Sequence, residues 1–283
     1  MLSAAADARF SDDVVAPNQA VAGKTKVLPL KLGGKVAVVG PMANTASKYN
    51  SDYAVAGMPP NSPSIADAVF ALNQKHGGST TTAPGVDISS SDTSKIAAAI
   101  ALVEAADATV LVLGISKDEE HEGIDRHDTL LPGQQTKFAL QVLAAAAKKK
   151  APCVVILISG GILSIDELVA PAQAIVDAFN PAQAGPRALA DTLFGLQNRW
   201  GKLPVTIYPG NYSGLQPIQE MSLTTGPGRS YRYYTGTPLF AFGEGLSYTD
   251  FAMQCDWRVH EPMSFVCMVQ NTGAVTGDEV VQV

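Results

Sequence analysis

Four continuous apolar runs constrain the fold of this chain more strongly than any other feature of its sequence. They occupy residues 36–40, 109–114, 153–158 and 174–179. Uninterrupted apolar runs of this length are typical of strands that are buried on both faces. The first two runs end in glycine and the third is followed by Ser159-Gly160-Gly161, which are turn signals. We therefore expect a sheet that is covered on both sides.

Between the runs lie segments in which apolar residues recur at helical spacing. They recur at Ile96, Ile100 and Val103, at Phe138, Val142 and Ala146, and at Leu189 and Leu193. Ser91 or Asp92 could cap the first helix, and Pro186 begins the last. Strands that alternate with helices indicate a mostly parallel sheet with helices on both faces. The sequence therefore predicts an α/β fold, a three-layer sandwich.

The pattern changes after Tyr248. Residues 249–283 contain short alternating stretches separated by turn residues, as in an antiparallel β-domain, and the last stretch stops in mid-strand. We therefore divide the chain into a connector (1–34), an α/β sandwich domain (35–248) and the beginning of an all-β domain (249–283), and expect a fragment. Cys255 and Cys267 could pair across neighbouring strands or stay free, whereas Cys153 is expected to be a buried thiol.

Charge and hydropathy exclude two classes of partner. The net charge is −6, and the longest basic run is residues 148–150, so the chain lacks the cationic surface that binds a nucleic-acid backbone. No apolar stretch approaches the roughly 20 residues that cross a bilayer, and residues 1–10 do not resemble a signal peptide. We predict no nucleic-acid and no membrane partner; secretion of the full-length protein stays open.

The loop after the second run, residues 115–128, holds the densest charge cluster in a chain that is only 16% charged. Ligands collect at the carboxyl ends of parallel strands. Crowded carboxylates raise the pKa of at least one of their number, which suits proton transfer. A solvated acidic loop and a cation site are the alternatives, although the spacing fits no zinc or calcium pattern. No complete glycine motif for a nucleotide is present, so we predict no cofactor.

Residues 122–126 and 130–135 resemble the E-G-x-D-R and L-x-L-P-G-x-Q stretch of glycoside hydrolase family 3, which contains β-glucosidases and β-xylosidases. Residues 35–44, 182–185, 190–195 and 201–206 are similar, in the same order, to the C-terminal α/β sandwich domain of that family. Residues 228–234 and 242–249 are similar to its junction with a fibronectin type III-like domain. The resemblance runs from about residue 35 to the C-terminus.

The resemblance implies a retaining, exo-acting β-glycosidase that hydrolyses the O-glycosyl bonds of a β-linked oligosaccharide or glycoside with two carboxylates. One is an aspartate nucleophile on a preceding β/α barrel, which these 283 residues do not include. By position in the motif the other is Glu122, the general acid/base, supported by Glu120, Asp125 and Arg126. For Asp125 and Arg126 a structural ion pair is the preferred interpretation.

Two questions stay open at this level. The loop does not decide between glucosides and xylosides, because Gly123 is similar to the β-glucosidase version whereas His121 stands between two glutamates where β-xylosidases tend to have a small residue. The rival to an enzyme is a catalytically inactive carbohydrate-binding or interaction module that has lost its barrel. A nucleotide-binding regulatory domain is disfavoured by the missing glycine motif.

Overall fold

The computed structural model describes residues 27–54, 57–258 and 264–282. Five strands form one parallel sheet in the order β2-β1-β3-β4-β5. The strands are β1 Lys35–Val39, β2 Ser79–Ala83, β3 Ala108–Gly114, β4 Cys153–Ile158 and β5 Ala174–Asp177. The predicted α/β class is therefore confirmed, and each of the four apolar runs contains a strand.

Helices cover both faces of the sheet. They are α1 Ile65–Lys75, α2 Ile96–Ala105, α3 Gln135–Lys149, α4 Asp166–Val169, α5 Gly185–Leu193, α6 Tyr212–Leu215 and α7 Ser230–Tyr233, with a 3-10 turn at Ala46–Lys48. Val39 and Leu111 face the core beneath α2 and α3, whereas Val38 and Val110 face the core beneath α1 and α5. Successive strand residues point to opposite faces, so strands buried on both sides are apolar throughout.

The structure adds one strand, β2, and four helices, α1, α4, α6 and α7, that the apolar pattern did not predict, and α1 is the longest of these helices. Strand β2 is rich in threonine and lies at the edge of the sheet, where its side chains are largely exposed. Helix α1 begins with a capping box, in which Ser64 accepts from the Asp67 N–H and Asp67 accepts from the Ser64 N–H. The helix expected to start at Ser91 or Asp92 starts instead at Ile96, because Asp92 accepts from the Ser94 N–H in a local turn.

The predicted connector lies outside the described residues as far as residue 26. Its last part belongs to the α/β domain, since Leu28 and Leu30 are buried in the core on the α1 and α5 side. The Leu30 N–H donates to the Leu193 carbonyl at the end of α5 (2.8 Å). The packed part of the chain thus begins before residue 35.

The tail forms an antiparallel hairpin of β6 (Phe251–Arg258) and β7 (Ser264–Asn271), in agreement with an all-β segment. Cys255 and Cys267 lie directly opposite each other and form a disulfide, which resolves the open choice in favour of pairing. Cys153 is a buried thiol, and burial raises its pKa to about 12. Across the described ranges, no helix combines the length and apolar character that crossing a bilayer requires.

Candidate active site

The charged loop joins β3 to α3 at the carboxyl edge of the sheet, as its position in the sequence predicted. It leaves the sheet at Gly114, whose φ of +149° favours glycine. A Cβ atom there would lie 1.9 Å from the Ile158 carbonyl oxygen at the end of β4. The next residue, Ile115, donates its N–H to that same oxygen (2.9 Å). The loop therefore starts in close contact with the end of β4.

A tight turn projects from the middle of this loop. The backbones of His121 and Ile124 exchange two hydrogen bonds, of 3.2 and 2.9 Å, so that Glu122 and Gly123 form the tip. Gly123 has φ +87°, a conformation that side chains disfavour. The His121 Nδ1 donates to the Lys117 carbonyl (2.8 Å), because a carbonyl oxygen can only accept. Hydrogen bonds of His121 and Ile124 therefore fix the backbone on both sides of Glu122.

Glu122 is exposed, and its carboxylate makes no hydrogen bond or ion pair with any of the described residues. Asp125, just beyond the turn, is also exposed and likewise has no side-chain partner in the described part of the chain. Each of these carboxylates therefore faces solvent. They are the two carboxylates of the loop that have no partner among the described residues.

Glu120 and Arg126 are brought together beneath the turn. The Arg126 Nε donates to Glu120 Oε2 at 2.5 Å, and the Arg126 Nη2 donates to the Ile162 carbonyl at 2.9 Å. The Arg126 side chain is only 14% exposed. A Cβ atom on Gly161 would lie 2.6 Å from Glu120 Oε1, so Gly161 packs closely against this carboxylate. Arg126 thus pairs with Glu120 and the loop after β4, and it makes no hydrogen bond to Asp125 or Glu122.

The other carboxylates of the loop are also engaged in local contacts. Glu119 accepts from the backbone N–H and hydroxyl of Ser116 (2.9 and 2.7 Å) and from the Ser89 hydroxyl (2.7 Å). Asp118 pairs with Lys48, and the hydrogen bond and charge of Lys48 lower the pKa of Asp118. Asp128 accepts from the Leu130 N–H at 2.9 Å.

The loop after β4 forms hydrogen bonds with the residue that follows the charged loop, Thr129. Thr129 and Ser164 share a hydroxyl contact of 2.6 Å, and the Ser164 N–H donates to the Thr129 carbonyl at 2.7 Å. Gly161, in the turn that follows the third apolar run, lies against Glu120 and Arg126, whereas Gly160 lies beside the Asn180 side chain. The described residues bring together no group of three or more metal-ligating side chains.

Sequence reasoning missed the residues that hold this loop at its base. Gln135, Ser89 and Ser164 are uncharged and belong to different segments, so their contacts with the loop depend on the tertiary fold. The sequence signal was limited to the position of Gln135 in the stretch that resembles the family.

Residues 21–248 match the family model of the glycosyl hydrolase family 3 C-terminal domain. The chain therefore belongs to glycoside hydrolase family 3, and the resemblance read from its sequence is confirmed. The relatives and structural neighbours described next are glycoside hydrolases of this kind.

Among curated relatives, the chain is 33% identical over 275 residues to exo-1,4-β-xylosidase bxlB of Emericella nidulans, covering 89% of this chain and 35% of that protein. It is 35% identical over 224 residues to β-D-xylosidase 1 of Arabidopsis thaliana, covering 76% of this chain and 27% of that protein. The chain thus spans between about a quarter and about a third of the length of these two relatives.

Solved structures that resemble this chain are also family 3 glycosidases. A family 3 exo-β-xylosidase, XlnD, in complex with a xylobiose aziridine activity-based probe, superposes with a TM-score of 0.73 at 30% identity, over 81% of this chain and 30% of that one. The family 3 β-glucosidase of Bifidobacterium adolescentis superposes with a TM-score of 0.72 at 27% identity, over 88% of this chain and 38% of that one. Both β-xylosidases and β-glucosidases therefore share this fold.

Proposed function

We propose that this chain supplies the general acid/base, Glu122, of a retaining exo-acting β-glycosidase. The observation that carries the proposal is the contrast within the loop: Glu119, Glu120, Asp118 and Asp128 are engaged by neighbouring groups, whereas Glu122 is exposed at the tip of a defined turn. A proton-transfer group has to reach the substrate without losing its carboxylate to a structural partner. Glu122 meets that requirement.

The nucleophile in this proposal is an aspartate on a β/α barrel that packs beside the loop. It attacks the anomeric carbon while the neutral Glu122 carboxyl gives its proton to the departing glycosidic oxygen. The ionised Glu122 then takes a proton from water, and the water attacks the glycosyl-enzyme and releases the sugar. The two carboxyl groups of a retaining enzyme lie roughly 5 Å apart, which suits a residue that projects from the domain surface.

Glu120 and Arg126 support Glu122 indirectly in this scheme. Their ion pair is largely buried against Gly161 and the Ile162 carbonyl, so it fixes the stem of the turn. Asp125 has no such contact. We therefore assign Glu120 and Arg126 to positioning, and we treat Asp125 as the competitor of Glu122 for the catalytic role.

The substrate class we propose is a β-linked xyloside or glucoside, cleaved from its non-reducing end. The names of the relatives support xylosides first, because bxlB and the Arabidopsis protein are both β-xylosidases. The β-glucosidase among the structural neighbours keeps glucosides within the class.

The test uses a fusion in which these 283 residues replace the matching part of bxlB. In the fusion, Glu122→Ala should lower the hydrolysis of xylobiose by about 100-fold to 10,000-fold, since an alkoxide leaving group needs a proton. Formation of the glycosyl-enzyme from a dinitrophenyl xyloside should change far less, and azide should accelerate its slowed breakdown.

Asp125→Ala is the matched control, since Asp125 is also an exposed carboxylate of the loop. It should show neither leaving-group dependence nor azide rescue. If Asp125→Ala shows both effects and Glu122→Ala shows neither, the acid/base is Asp125. An unmodified fusion that folds but hydrolyses neither xylosides nor glucosides would favour the inactive module.

A further inference from the structure

The connection from β3 to α3, which contains the charged loop, contacts residues 86–90 both in the loop and close to α3; this segment follows β2 and takes no part in the proposed chemistry. At the far end of the loop, a Cβ atom on Gly133 would lie 2.7 Å from the Ser90 carbonyl oxygen, so the two backbones touch. In the first half of the loop, the Ser89 hydroxyl donates to Glu119 Oε1 (2.7 Å). We call residues 86–90 the support segment.

Gln135 connects the support segment to the two ends of the loop. It is the first residue of α3 and is fully buried. Its Oε1 accepts from the Gly114 N–H (2.9 Å), while its Nε2 donates to the Gly114 carbonyl (2.8 Å) and to the Ile88 carbonyl (3.0 Å). The side-chain amide therefore joins the residue before the loop, the residue after it and the support segment.

We propose that Gln135 and Ser89 are positioning residues for the acid/base: they tie the loop that carries Glu122 to the support segment and so fix where its tip stands. The proposal rests on the function proposed above for Glu122. A buried amide that uses both N–H donors and its oxygen is costly to disturb, because an apolar replacement leaves the backbone groups that it contacted without this partner. We therefore expect the hydrogen bonds of the buried Gln135 side chain to restrain the loop more strongly than the single hydrogen bond of exposed Ser89.

The chemical consequence follows from the geometry of proton transfer. Glu122 itself has no side-chain partner among the described residues, so the position of its carboxyl depends on the loop backbone. A displacement of about 1 Å from a distant change can cost a factor of about 100 in rate. Such a displacement impairs the departure of a poor leaving group, whereas a good leaving group departs without a proton.

The experiment uses the same bxlB fusion, with Gln135→Met and Ser89→Ala as test variants. Gln134→Met and Ser91→Ala are the matched controls, because both side chains are neighbours that form no hydrogen bond in the described structure. We expect kcat on xylobiose to fall about tenfold or more in Gln135→Met and about threefold in Ser89→Ala. Both should form the glycosyl-enzyme from a dinitrophenyl xyloside at nearly the unmodified rate, and the controls should resemble the unmodified fusion.

A merely structural role predicts a different result, namely equal losses on both substrates in proportion to the loss of folded protein. That result, or full activity on xylobiose in both test variants, would overturn the proposal. Should Gln135→Met fail to fold, Ser89→Ala decides the question, since an exposed hydroxyl can be removed without unfolding the domain.

Amide hydrogen exchange on the 283-residue chain separates this proposal from the proposed function. Gln135→Met should accelerate exchange across residues 115–131 and Gln134→Met should not. If Glu122→Ala lacks leaving-group dependence in the fusion while exchange responds as expected, the tie exists and the assignment of Glu122 fails. If Glu122→Ala behaves as predicted but neither test variant affects poor leaving groups, the positioning role fails alone.

Discussion

Asp177 is a half-buried carboxyl group at the end of β5, beside a cavity of about 320 Å³ that Trp200 and Tyr248 also line. Burial raises its pKa to about 6, and the hydrogen bond from the Phe179 N–H offsets only part of that effect. Because its pKa is higher in the folded chain than in the unfolded chain, the folded chain binds more protons between about pH 4 and pH 6. Stability from this group is therefore complete below pH 4 and is lost as the pH rises through 6.

This residue gives a stability prediction. About 1.4 kcal/mol accompanies each pH unit between the two pKa values, so ionised Asp177 costs the folded state about 2–3 kcal/mol at neutral pH. Asp177→Asn should therefore raise the free energy of unfolding by about 1–2 kcal/mol at pH 7.5 and leave it nearly unchanged at pH 4. Urea denaturation at the two pH values measures this. Asp52→Asn, at an exposed site, is the control, and an equal effect of Asp177→Asn at both pH values would contradict the assignment.

At the scale of elements, the capping box of α1 offers a direct measurement. Ser64 is almost fully buried, and its hydroxyl accepts from the Asp67 N–H while also donating to the side chain of Asn44 (2.8 Å). Ser64→Ala should lower the free energy of unfolding by about 1–2 kcal/mol, since it leaves a helix N–H without its acceptor. Chemical denaturation checks the value. Ser91→Ala, at an exposed serine, should change it by less than about 0.5 kcal/mol.

Elements that are buried on both faces could be predicted from sequence, because every position of β3 and β4 except Thr109 is apolar or glycine. Strand β2 could not, since an edge strand with exposed threonines carries no apolar run. Helix α1 did have a local signal, Ser64 followed by Asp67, which apolar periodicity does not use. Capping residues therefore indicate where a helix begins, which is information that the spacing of apolar residues does not give.

For the candidate site, the position of the loop could be predicted from sequence, whereas the pairing of its carboxylates could not. The rule that ligands collect at carboxyl ends of parallel strands located the loop after β3. Which of its carboxylates is unpaired could not be read from the sequence, because that depends on Ser89 and Ser116 at Glu119 and on Arg126 at Glu120. Partners of this kind come from segments that only the fold brings together.

For the whole molecule, we predict that these 283 residues alone show little or no hydrolysis of aryl β-xylosides or β-glucosides. A retaining mechanism needs two carboxylates at a defined separation, and in our proposal the nucleophile comes from the barrel. Turnover well above a buffer blank, measured by phenolate release and abolished by Glu122→Gln, would place a nucleophile within this chain instead.

Limited proteolysis tests the proposed division at residues 248 and 249. The hairpin of β6 and β7 is largely exposed along its described positions, whereas β1 and β4 are buried. Under reducing conditions, which open the Cys255–Cys267 bond, a non-specific protease should remove the tail first and leave the α/β domain. Mass spectrometry identifies the fragment. Early cleavage within β1 or β4 would show that these strands do not form the stable core of the domain.

Gly114 has a consequence for how such enzymes diversify. Its backbone rests on the Ile158 carbonyl so closely that no side chain fits, and this contact sends the loop toward the end of β4 before any charged residue occurs. The direction in which the loop leaves the sheet is therefore set at Gly114, whereas the charged residues come later in the loop. A loop of different length or sequence, inserted between Gly114 and Gln135 from another member of the family, inherits the same departure direction. Under the function proposed above, exchange of this loop alone should change the leaving-group preference while the rest of the domain stays the same.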